Sequence, residues 1–101
     1  MKKWLALLFT VGFLSACVTV SQPLEEYTLA RAAVEAAKAV EAARYSPGNW
    51  HQAEEAYRKG QLYYKEQNYP EARQEFVKAR VAAEKAENSA RLIRQKNGEV
   101  L

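Results

Sequence analysis

From Leu24 onward the apolar residues of this 101-residue chain recur at helical spacing. In the last third, Ala72, Phe76, Ala79, Ala83, Ala86, Ala90 and Ile93 alternate steps of four and three, a heptad seam. Ala53, Ala56, Gly60 and Tyr63 keep the same steps, with Tyr57 and Tyr64 beside them. Upstream, Leu29, Ala33, Ala36, Val40 and Ala43 form one strip, adjoined by Ala30, Val34 and Ala37. No stretch alternates with period two, so no strand is expected. Two turn signals divide the pattern. Ser46-Pro47-Gly48-Asn49 places Pro beside Gly, and Asn49 is suited to cap the helix that follows. Asn68-Tyr69-Pro70 puts Pro where a first helical turn tolerates it. Asn97-Gly98 is a stop. The prediction is all-α, an antiparallel three-helix arrangement over 24–45, 50–67 and 70–96, with short connections. At about 1.5 Å per residue the third helix would be about 40 Å long, its far end projecting past the second.

The first 16 residues read differently. Lys2-Lys3 precedes an apolar run, Trp4 to Leu14, of 11 residues. A membrane-spanning helix needs about 20. A basic start, a short apolar run and small residues after it have the layout of a secretory signal peptide. Cys17, the sole cysteine, follows the small residues at once. The chain therefore divides into a signal peptide (1–16), a cysteine with a short polar tether (17–23), a helical domain (24–97) and a tail (98–101). Without the signal peptide, 85 residues remain, 16 of them Ala, the strongest helix former. They carry 13 basic and 12 acidic side chains, near neutrality. Nucleic-acid binding calls for a basic excess, and none is present.

The quartet Leu14-Ser15-Ala16-Cys17 resembles a bacterial lipobox. That resemblance implies cleavage before Cys17, diacylglycerol on its sulfur and acylation of the new amino terminus. One buried acyl chain anchors marginally and several anchor durably. Val18 stands where an Asp would imply inner-membrane retention. The expectation is a lipid-anchored protein of the bacterial cell envelope, in the outer membrane and facing the periplasm.

Gly60, Tyr63, Ala72, Phe76 and Ala79 stand at the offsets of the core of a tetratricopeptide repeat, and the stretch 53–86 resembles one such helix–turn–helix. In that likeness Gly60 and Ala72 permit close helix crossing while Tyr63 and Phe76 fill the hairpin. Ala56, Lys59 and Glu84 depart from the repeat's usual large residue, Leu and Pro. An ordinary helical hairpin reaches the same spacing through packing alone. One frame earlier the pattern fails, which leaves a single hairpin packed on the first helix. The whole chain also resembles small bacterial lipoproteins with an alanine-rich domain of unknown function, through the lipobox, the alanine spacing and Tyr69-Pro70-Glu71-Ala72-Arg73. That likeness implies an envelope location and no known activity.

Little in the chain points to catalysis. His51 is the only histidine and Asp is absent, so no metal or cofactor is expected. Glu54 and Glu55 stand four before Arg58 and Lys59, the spacing of surface ion pairs. Arg91, Arg94 and Lys96 are expected as a solvated last turn. An enzyme is not expected. The expected function is a protein–protein interaction or scaffold module, held to the bilayer through acylated Cys17. Its surface would be Tyr57, Tyr63, Tyr64 and Tyr69, or one side of the third helix, and its partner an envelope protein of unknown identity. The alternative is a structural lipoprotein that self-associates as a homo-oligomer, through a coiled coil along the third helix.

Overall fold

The computed structural model describes residues 21–99. Leu14, Ser15, Ala16 and Cys17 lie outside that range. Four helices follow in order: α1 Leu24–Ala39, α2 Ala42–Tyr45, α3 Pro47–Lys65 and α4 Tyr69–Lys96. The chain is all-α over the described residues, and its last helix, with 28 residues, is the longest. It runs antiparallel to α3, and α1 packs mainly against α4.

The seam along α4 forms as its spacing demands. Ala72, Phe76, Ala79, Ala83, Ala86 and Ala90 are completely buried. Alanine lets helix axes approach closely but contributes little apolar area per residue. Two clusters share the burial. One gathers Ala30, Ala56, Ala72, Phe76 and Ala79. The other holds Val34, Ala37, Val40, Trp50 and Ala53 against Ala82, Ala83, Ala86 and Ala90.

The first helix departs from its expected span of 24–45. It stops at Ala39, because Glu41 takes a left-handed conformation, φ 59°. The break redirects the chain so that both Val40 and Ala42 are buried over the far part of α4. That end of α4 therefore does not project free. Ala83, Ala86 and Ala90 are covered within one chain, so the seam expected to join a second copy is already occupied. The strip on α1 also shifts. Ala30, Ala33, Val34 and Ala37 face inward, while Leu29 is 43% exposed. Stacking of Tyr27 on Phe76 sets this rotation of α1, with ring centroids 4.3 Å apart.

The helix expected over 50–67 behind an Asn49 cap is α3, which begins at Pro47 and ends at Lys65. Pro fits the first helical position, where no N–H is needed. Asn49 then lies inside the first turn and donates from Nδ2 to Ser46 Oγ at 3.1 Å. Helices α3 and α4 end alike. After α3, Asn68 N–H donates to Tyr63 C=O (2.8 Å) and Gln67 N–H to Tyr64 C=O (3.1 Å). After α4, Glu99 N–H donates to Arg94 C=O (2.9 Å) and Gly98 N–H to Gln95 C=O (3.0 Å). Both are Schellman closures. Gly98 (φ 76°) holds the left-handed position in one and Gln67 (φ 62°) in the other.

Candidate functional site

The four tyrosines expected to form a surface are brought to one end of the α3–α4 hairpin, and all are half-buried. They sit around Phe76. Tyr57 lies 6.1 Å from its ring, and both rings neighbour Tyr27. Tyr64 meets Tyr27 edge-on at 5.2 Å and Tyr69 at 5.7 Å. Tyr63 packs against the same cluster. Such edge contacts add to what area burial alone provides. These rings are thus largely internal packing, and each stays partly exposed.

The hydroxyls of Tyr27, Tyr57, Tyr64 and Tyr69 are engaged within the chain. Arg31 Nε donates to Tyr57 Oη at 3.5 Å, and Gln61 Nε2 to Tyr27 Oη at 3.1 Å. Tyr64 Oη donates to Gln22 Oε1 (3.0 Å), and Gln22 Nε2 donates to Tyr69 Oη (3.3 Å). Gln22 and the fully buried Pro23 are therefore fastened to the hairpin, although both were expected in the tether. Tyr27 is the member of this cluster that the expected surface omitted. Its position three residues before the buried Ala30 was the available signal.

The repeat-like packing residues meet as their types require. Ala72, Phe76 and Ala79 are completely buried and Gly60 faces them. A methyl group at Gly60 would lie 2.7 Å from Phe76 Cδ1 and Cε1. Only glycine permits that approach. Arg73 reaches back to α1, its Nε 3.2 Å from Glu26 Oε1.

On the side of the hairpin away from α1, a groove of about 380 Å³ runs between α3 and α4. Gln52, Glu55 and Lys59 line one wall, Glu75, Lys78 and Ala82 the other. Lys59 pairs with Glu55 at 3.2 Å and Lys78 with Glu75 at 3.8 Å, so its charges balance. The Glu55 carboxylate raises the Lys59 pKa above its ordinary value. Val77 and Val81, each 40% exposed, extend a shallower hollow along the outer side of α4. One side of this helix was among the expected surfaces, but Val77 and Val81 were not singled out; their signal was the pair of valines four apart beside the seam.

The expected basic cluster is split. Arg91 pairs with Glu87 one turn earlier, at 3.0 Å. Arg94 turns inward instead, with its side chain only 15% exposed. Its Nε donates to Glu99 Oε2 at 3.2 Å, and its Nη1 donates to Val40 C=O at 3.4 Å. The same Nη1 stands 3.6 Å from Glu41 Oε2. Arg94 thereby serves a carbonyl and a carboxylate at the helix break. Tyr45 Oη donates to the Glu99 carboxylate at 2.8 Å, and that bond raises the tyrosine pKa above its ordinary value.

Among the described residues no three His, Cys, Asp or Glu side chains are grouped to hold a metal ion. No helix among them is long and apolar enough to cross a membrane. No curated protein and no solved structure matches the chain in the comparisons made. One family profile does, over residues 25–99, from the first turn of α1 to the glutamate that closes on Tyr45. The chain therefore belongs to the family described as a domain of unknown function, DUF4398.

Proposed function

We propose that this protein is a lipid-anchored envelope protein whose helical domain is a docking module for another envelope protein. The observation that carries the reading is the single cysteine. Cys17 closes Leu14-Ser15-Ala16-Cys17 directly behind a basic start and an 11-residue apolar run. Acylation there holds the domain at the periplasmic face of the outer membrane. The docking role rests on the free side of the α3–α4 hairpin. There a charge-balanced groove lies beside the exposed Val77 and Val81, a mixture of apolar and polar contacts common to protein interfaces. The exposed parts of Tyr57, Tyr63, Tyr64 and Tyr69 add contact area at the hairpin's other margins, and tyrosine is enriched where binding energy concentrates.

The test is photo-crosslinking in cells, on the full-length chain, with the probe at Val81, at Tyr64 or at Arg91. A discrete adduct of foreign mass from Val81 or Tyr64 supports docking and identifies the partner by mass spectrometry. An adduct at twice the chain's own mass replaces docking with self-association. No adduct from any of the three positions contradicts the docking role.

A further inference from the structure

The place where the chain enters the fold has a consequence for which end of the domain faces lipid. Gln22 is bonded to both Tyr64 and Tyr69, at 3.0 and 3.3 Å. Pro23 beside it is fully buried. The entry point is therefore pinned to the end of the bundle formed by the first turns of α1 and α4 and the last turn of α3. Between Gln22 and Cys17 lie four residues. Fully extended, that link spans at most about 18 Å between Cα atoms. The opposite end is far away. At about 1.5 Å per residue, Lys96 lies about 40 Å along α4 from Tyr69.

We infer that this pinned end, carrying Leu24, Leu62, Tyr64 and Tyr69, is a membrane-contact surface that rests on the bilayer holding the acyl chains. The inference rests on the lipid-anchor reading of Cys17. Leu24 and Leu62 are the most exposed large apolar residues of this end, at 58% and 54%. Tyrosine with a half-exposed ring and a polar tip suits the headgroup level of a bilayer. A link this short keeps the surface at high effective concentration against the lipid, so weak contacts suffice. Charge does not drive the contact. Glu25, Glu66 and Glu71 outnumber Lys65 at this end, so neutral lipid serves as well as anionic lipid. The groove between α3 and α4 then runs away from the membrane and stays open to a periplasmic partner.

Acylation leaves no free thiol in the native chain, so an added cysteine is unique. Full-length Lys65→Cys and Lys96→Cys proteins are produced with their lipid, labelled with an environment-sensitive fluorophore and placed in phosphatidylcholine vesicles. Nitroxide-headgroup lipids provide the quencher. Both positions are exposed, so both variants fold. The expected result is several-fold stronger quenching at Lys65→Cys than at Lys96→Cys, unchanged in high salt. Equal quenching at the two positions, or none at Lys65→Cys, overturns the inference while the anchor reading stands. A protein that carries no acyl mass and does not float with vesicles overturns the anchor reading, and the inference with it.

Discussion

Gly60 and Gly48 both lie inside α3, yet replacing each by alanine should have opposite effects. Helix propensity favours alanine over glycine by about 1 kcal/mol in a helix interior. At Gly48 nothing stands within 4 Å of the new methyl group, so Gly48→Ala keeps the gain. Its position in the first turn reduces that gain to about 0.4–1 kcal/mol. At Gly60 the methyl would lie 2.7 Å from two Phe76 ring carbons. That ring has nowhere to retreat. It is completely buried and stacked on Tyr27, with Tyr57 at its flank. Overpacking a filled core costs about 1–3 kcal/mol. The net effect of Gly60→Ala is a loss of up to about 2 kcal/mol after the propensity gain is subtracted. In a domain of this size each kcal/mol moves the melting temperature by about 4–8 °C. Circular dichroism melts of a Cys17→Ser chain lacking the signal peptide are the assay. Gly48→Ala should melt higher than the parent and Gly60→Ala lower. In the double variant Gly60→Ala/Phe76→Leu the alanine should cost less than it does alone, a coupling of about 0.5 kcal/mol or more. If both single alanines raise the melting temperature, the close α3–α4 crossing is wrong.

Other expectations follow from the helix ends and the Arg94 cluster. Gln67→Gly should stabilise the domain by about 0.5–1 kcal/mol, because a left-handed residue with a side chain is strained and glycine is not; a chemical denaturation midpoint checks it. Gly98→Ala should destabilise by a similar amount for the mirror reason, φ 76°. Arg94→Met should speed amide exchange at residues 41–46 far more than at 72–86, since it removes the donor to Val40 C=O and the partner of Glu41. The Tyr45–Glu99 bond needs a neutral tyrosine, whose pKa in the folded chain is raised by the carboxylate. Its contribution to stability is therefore complete below the ordinary tyrosine pKa of 10.0 and lost as pH rises through the higher folded value. A phenolate absorbance titration should show Tyr45 ionising late. Glu99→Gln should remove that late step.

Much of this fold is written in residue spacing. A period of alternating fours and threes named six of the buried positions of α4, while Ile93 at its end is only partly buried and the buried Ala82 lies off the series. The same arithmetic marked Gly60 as a point of close helix crossing; that it faces Phe76 is seen only in the structure. What spacing could not reveal was the end of α1. Glu41 is neither Gly nor Asn, and Ala42, Ala43 and Arg44 continue a good helical composition. The break arises from tertiary contacts, through burial of Val40 and Ala42 and the donor from Arg94, 54 residues away. Arg94 was misplaced for the same reason. A basic residue in a last turn satisfies the local dipole rule whether or not it also turns inward. In the structure Tyr57, Tyr63, Tyr64 and Tyr69 lie near one another around Phe76. How far each ring is covered depends on Tyr27 and Gln22, which are distant in sequence.

The proposed lipid anchor underlies both the proposed docking role and the inferred orientation of the domain, and it is tested most directly by mass. The protein is purified from bacterial membranes after expression of the full chain, and its intact mass is measured beside that of Cys17→Ser. The account predicts a chain that begins at Cys17 and carries the added mass of acyl groups, with Cys17→Ser unprocessed and unacylated. A chain that keeps residues 1–16, or that loses them and carries a free Cys17 thiol, would contradict it.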